Sequence, residues 1–218
     1  MSPKPKSLIC IGAGGHGAEV VSYVCSMPSV YQLVGVIDDH RAKGPWHLSK
    51  VVGTLKALQA LAKQHPGLKY ITAIGDNQIR KRLVNEVSLL AETVVHPTAI
   101  LGNSLSVGEG TLFGPLSVAT ARISIGKHCI VNVKASISHD VVIGDFVNIN
   151  PGATVTGGCK IAEGAFIGAG ATILPKVRIG RWAIVGAGAV VLSDVPDFAT
   201  VVGVPAKIIR LDPKLSAV

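Results

Sequence analysis

Two short stretches of this 218-residue chain carry residue types able to do chemistry. SISHDVVIGD, Ser136 to Asp145, sets His139 beside Asp140 in a segment otherwise built from small and aliphatic residues. Imidazole takes up and returns a proton near neutral pH, and a neighbouring carboxylate orients the ring and stabilises its cation. IGAGGHGAEVV, Ile11 to Val21, carries Gly12, Gly14 and Gly17 in G-x-G-x-x-G spacing. Backbone N–H groups at a helix start cradle phosphate, and Asp38-Asp39, about twenty residues on, offers acceptors to ribose or base donors. Each stretch also has a plainer reading. His139 could be a surface histidine, and the glycines could serve only tight strand–helix packing.

The elements that must position His139 are set by a repeat. From Leu101, every sixth residue through Val191 is Leu, Ile or Val at fourteen of sixteen positions, without one insertion. Four places after each, a small or branched residue recurs, including Cys129, Ala135, Val141, Ala153 and Cys159. A helix repeats at 3.6 and a half-buried strand at 2, so neither gives a strict six. Three hexads closing one coil of a triangular solenoid do, with each aliphatic stacking on its equivalent eighteen residues later. Small residues are then expected at the corners. In that geometry Ala121, His139 and Gly157 form one column at coil spacings of about 4.8 Å. Small neighbours leave the ring open space, with a backbone N–H nearby for a developing oxyanion. Asp140 would lie directly above Arg122, so a simple surface ion pair is its alternative role.

The front of the chain alternates strand-like and helix-like segments, from SLICIGAGGHGAEVVSYV and QLVGVIDD to LKALQALAKQ, KYITAIGD and NQIRKRLVNEV. That alternation predicts a small α/β, half-Rossmann-like βαβ unit. The predicted organisation is residues 1–95 for this unit, 96–200 for the coil and 201–218 for a closing segment. His96-Pro97 marks the join.

The hexads resemble those of the hexapeptide-repeat acyltransferases, whose fold is an all-β left-handed parallel β-helix. The handedness comes from the resemblance. VVGVPAKIIR, Val201 to Arg210, is similar to their closing segment. G-x-G-G-H-G followed by V-x-x-x-D-D and a β-helix resembles the bacterial sugar-nucleotide N-acetyltransferases grouped with sialic acid O-acetyltransferases. The resemblance implies nucleotide-sugar binding at Gly14, Gly15, His16, Asp38 and Asp39. It implies His139 as catalytic base, Asp140 as its adjacent acid and Asn132 near the sugar amine. Gly157 is implied to bind the acetyl carbonyl of acetyl-CoA, with Ala169 and Ala187 along the pantetheine arm. Some members carry a second histidine nine residues after the base. Here that residue is Asn148, which can position substrate or coenzyme but cannot titrate near neutral pH. The family also implies a homotrimer with acyl-CoA in the groove between neighbouring helices. The expected reaction is acetyl transfer from acetyl-CoA to the amine of a nucleotide-linked 4-amino-4,6-dideoxy sugar. Acetylation of a sugar hydroxyl, a non-catalytic nucleotide-sugar sensor and NAD binding stay as alternatives.

Composition narrows the rest. A net charge of +8 admits an anionic partner, but basic residues are dispersed and aromatics are only 4%, so nucleic acid is not expected. The one dense run, Arg80 to Arg82, falls in a helix-like segment and reads as a solvated face. Cys10, Cys25, Cys129 and Cys159 show no paired spacing, which suits a reducing cytoplasm, and the last two fall at inward positions. The opening lysines and apolar run mimic a signal peptide but are interrupted by His16 and Glu19. No stretch reaches the ~20 apolar residues of a membrane span. His128 reads as a solvated corner residue on a different face from His139, and no metal site is expected.

Overall fold

The computed structural model describes residues 4–212. The outer ends of the expected segments, residues 1–3 and 213–218, lie outside the described residues. The chain divides into two compact units, Met1–Val94 and Val95–Val218.

The first unit is built on a five-stranded sheet. β1 (Lys6–Ile11) leads through a glycine turn into α1 (Gly15–Cys25), and β2 (Tyr31–Ile37) follows. A hairpin, β3 (Gly44–Trp46) and β4 (Ser49–Gly53), precedes α2 (Leu58–Gln64), β5 (Lys69–Thr72) and α3 (Asn77–Glu86). The strand order is β3-β4-β2-β1-β5, parallel throughout except for β3 against β4. α1 buries Gly17, Val20, Val21 and Val24, the stripe that helical spacing of its valines produces. The chain moves outward from β1 to β2 and β4, then returns to β1's other side as β5. The loops after β1 and β5 therefore part at the carboxyl edge, where open α/β sheets bind ligands.

The second unit is a left-handed parallel β-helix with three faces. The first carries strands such as Ile130–Val131 and Asn148–Ile149, the second Val118–Ala119 and Ser136–Ile137, the third Ile123–Ile125 and Val142–Ile143. Ladders join each residue to the one eighteen later, as in Ala119↔Ile137↔Val155↔Ile173↔Val191. The inward aliphatics from Phe113 to Val191 are buried, together with Cys129, Ala135, Ala153 and Cys159. The period changes only at the last coil. There Ile179 bridges Val195 and Val185 pairs Val201, sixteen residues apart, before Ala199–Gly203 folds back antiparallel against Ala206–Leu211.

The corners differ from the sequence expectation. Every sixth residue from Gly110 to Gly188 has φ between 52° and 74°, the left-handed region. Only six of those fourteen are glycine; the others include Arg122, His128, Asp140, Phe146 and Trp182. Non-glycine residues in this region cost roughly 1 kcal/mol or more each. They persist because backbone bonds on both sides fix the corner, as Asp140 N to Ala121 O and Gly158 N to His139 O do around His139. His128 is buried rather than solvated. Its ring stacks on Phe146, one coil above, with centroids 5.4 Å apart and planes 16° apart.

Candidate active site

His139 and Asp140 occupy the corner between the second and third faces. His139 Nδ1 and Asp140 Oδ2 are 2.8 Å apart. Asp140 also accepts from Arg122, at 2.7 Å from Nε and 3.0 Å from Nη2. Asp140 thus makes both contacts at once, the ion pair with Arg122 and the hydrogen bond with His139. The Arg122 hydrogen bonds, with a further one from His139, hold the Asp140 carboxyl well below the usual carboxylate range. An ionised carboxylate only accepts, so Nδ1 donates in this contact, and in the neutral ring Nε2 is the acceptor. Gly157 lies against the ring. A Cβ there would fall 2.6 Å from His139 Cε1 and 2.8 Å from Nε2, so any other residue displaces the imidazole.

The other expected residues of this unit sit at a different corner, between the first and second faces. Asn132 is buried there with Oδ1 accepting from Val133 N at 2.7 Å. Asn148 is buried on the adjoining first face, in register with Ile130. Ala169 and Ala187 are exposed and stacked, with Gly188 N bonded to Ala169 O at 2.8 Å. A face of this length puts the two corners roughly 15 Å apart. One chain therefore brings together His139, Asp140 and Gly157, and separately groups Asn132, Asn148, Ala169 and Ala187.

In the first unit, a cavity of about 380 Å³ opens at the carboxyl edge of the sheet, lined by Gly14, Gly15, His16, Asp38 and Asp39. The glycines divide by role. Gly12 has φ +116°, and a Cβ on Gly17 would fall 2.3 Å from Gly12 O, so these two serve close packing. Nothing lies within 4 Å of a Cβ on Gly14 or Gly15, which instead face open space. α1 starts at Gly15 with no side-chain cap and no acidic residue in its first turn, an arrangement receptive to an anion. Asp38 accepts from Ala13 N at 2.7 Å and His40 N at 2.9 Å, and Asp39 from Leu55 N at 2.9 Å. Both carboxylates thus brace the rim of the cavity. His16 Nδ1 lies 2.9 Å from Glu19 Oε2, and burial is the main cause pulling its pKa down.

One residue here was misread from sequence. Arg80 is not part of a solvated face but wholly buried, donating from Nη1 to Ile74 O at 2.8 Å. Ile74 and Gly75 line the cavity. Its signal was present, since Arg80, Leu83 and Val84 fall at i, i+3 and i+4 along α3, with Val87 just past its end.

A glycine-lined cavity at a sheet edge and a histidine-bearing β-helix of hexapeptide coils fit the class of acyltransferases. Residues 7–87 match the family described as PglD N-terminal domain, and residues 158–193 match bacterial transferase hexapeptide (six repeats). Over 110 residues the chain is 36% identical to UDP-N-acetylbacillosamine N-acetyltransferase of Bacillus subtilis (strain 168), a match spanning 49% of this chain and 50% of that protein. Perosamine N-acetyltransferase from Caulobacter crescentus, solved as a mutant with CoA and GDP-perosamine, is 32% identical with a TM-score of 0.88, covering 94% of this chain and 97% of that one. The acetyltransferase domain of PglB from Neisseria gonorrhoeae FA1090, solved with acetyl coenzyme A, is 31% identical with a TM-score of 0.88, covering 94% of this chain and 100% of that one. The chain belongs to the sugar-nucleotide N-acetyltransferases of the hexapeptide family.

Proposed function

We propose that this protein transfers acetyl from acetyl-CoA to the amine of a nucleotide-linked 4-amino-4,6-dideoxy sugar. The observation that carries the reading is the His139 ring, bonded to Asp140 and lying against a side-chain-free residue at Gly157. His139 Nε2 accepts the amine proton as nitrogen attacks the thioester carbon. The C–N bond forms, the C–S bond breaks, and the departing thiolate takes the proton from His139. Asp140 stabilises the imidazolium, and Gly157 N–H stabilises the oxyanion. The likeness to a relative solved with CoA and GDP-perosamine supports the two substrates. Gly14, Gly15 and His16 receive the nucleotide's phosphates, and Asp38 and Asp39 its ribose or base.

The same reading calls for a homotrimer. Ala169 and Ala187 line the pantetheine arm, with Asn132 at the sugar and Asn148 at substrate or coenzyme. Their corner lies away from His139 in one chain, and a threefold assembly setting unlike corners side by side would complete the site. Thiol release from acetyl-CoA, measured against a panel of nucleotide-linked 4-amino sugars, tests the proposal. Release with none of them, alongside acetylation of a free sugar hydroxyl, overturns it in favour of O-acetylation.

A further inference from the structure

Arg122 touches neither the space above His139 nor Gly157, yet it holds the group that does the orienting. It lies one coil below Asp140, and both residues are left-handed at the same corner, with φ 52° and 61°. Stacked corners of equal shape send the two side chains along the same edge. The guanidinium meets both carboxylate oxygens, Nε to Oδ1 and Nη2 to Oδ2, in a fork that matches carboxylate geometry. Oδ2 is the oxygen that also meets His139 Nδ1.

Resting on the reading of His139 as the base, we infer that Arg122 is a positioning residue, the first member of an Arg122–Asp140–His139 relay that fixes the imidazole's orientation and moderates its basic strength. Two effects are separable. Asp140 is nearly half exposed, and without the fork its carboxylate, still beside His139, would no longer hold the ring in one orientation. Arg122 also shares the charge of Asp140, so the carboxylate pulls less strongly on the imidazolium than it would alone. The other charges near this corner are Lys176, in the Arg122–Asp140–Gly158 column, and Lys160, outward on the third face; both are unchanged in the variants below.

The test compares wild type with Arg122→Ala, Arg122→Lys and Asp140→Asn, reading kcat, both KM values and the pH profile of kcat/KM. In Arg122→Ala, kcat is expected to fall roughly tenfold with both KM values nearly unchanged. The acid limb of its profile moves up by about half a unit to one unit as the carboxylate is unmasked. Asp140→Asn moves that limb the other way. Arg122→Lys restores its position but not kcat, because charge returns without the fork. An Arg122→Ala profile superimposed on wild type overturns the inference while leaving His139 as base. Activity surviving in His139→Ala overturns the base assignment and the relay with it. Should the alanine variant fail to fold, Arg122→Lys decides, and wild-type kcat there overturns the inference.

Discussion

The two units hold their chemical groups by opposite means. In the β-helix, position follows from arithmetic: a residue's column is its number modulo eighteen and its height the number of whole turns, and His139 meets Gly157 because they differ by eighteen. In the α/β unit nothing repeats, and the cavity is assembled from segments after four strands, braced by Asp38, Asp39 and the buried Arg80. A periodic scaffold places groups accurately but offers few shapes. An aperiodic one makes a pocket but needs internal braces to keep it.

That contrast can be broken at either end. The largest effect is expected from His139→Ala, which should lower turnover by roughly 10²–10⁴-fold. Its nucleotide affinity, measured by calorimetry, should stay at the wild-type value, since the cavity lies wholly in the other unit. Gly157→Val should cost about a hundredfold in kcat, because its Cβ enters the imidazole's space. Arg80→Met should raise the KM for nucleotide sugar about tenfold, with acetyl-CoA KM unchanged. It should also destabilise the fold by about 2 kcal/mol, read by denaturant unfolding, because the carbonyls of Ile74 and Gly75 lose their donor.

The smallest effect concerns Glu92, which is 7% exposed and bonds Lys6 at 2.5 Å and Lys69 at 2.7 Å. Burial alone would raise its pKa, but the two lysine hydrogen bonds outweigh burial and lower it. A depressed carboxyl contributes stability above its unfolded value, near 4.3, and loses it as pH falls through the folded value. Glu92→Gln should therefore cost about 1 kcal/mol at pH 7. The gap from wild type, followed by denaturant unfolding, should close as pH falls past the unfolded value and through the folded one. A gap constant with pH would remove the charge from the explanation.

The coil was legible because each inward hexad position reports one physical demand, an aliphatic filling a fixed slot. The corners were less so. Glycine occupies fewer than half of the left-handed positions, and the coil's backbone bonds hold Phe146 and Trp182 in the same conformation. His128 was read as solvated because its cover, Phe146, is a neighbour only once the coil forms. In the first unit the glycine turn and the acidic strand end were visible, but not which glycines pack and which face the cavity. The hairpin Gly44–Trp46 and Ser49–Gly53 left no pattern that separates it from loop. Arg80 was missed by reading its charge before its helical phase. At the His139 corner, Arg122 and Asp140 were placed correctly, but the ion pair and the contact with His139 were treated as rivals when the carboxylate makes both.

A stack of parallel coils has no inherent last member, since its top rung offers the same unpaired amides and carbonyls that every rung below has already filled. The sixteen-residue turn and the reversal between Gly203 and Ala206 change that offer. A newcomer adding in the stack's own direction would find the first face already taken by a strand running the other way. This geometry is a stop signal against fibre-like growth, written in two omitted residues and one change of direction.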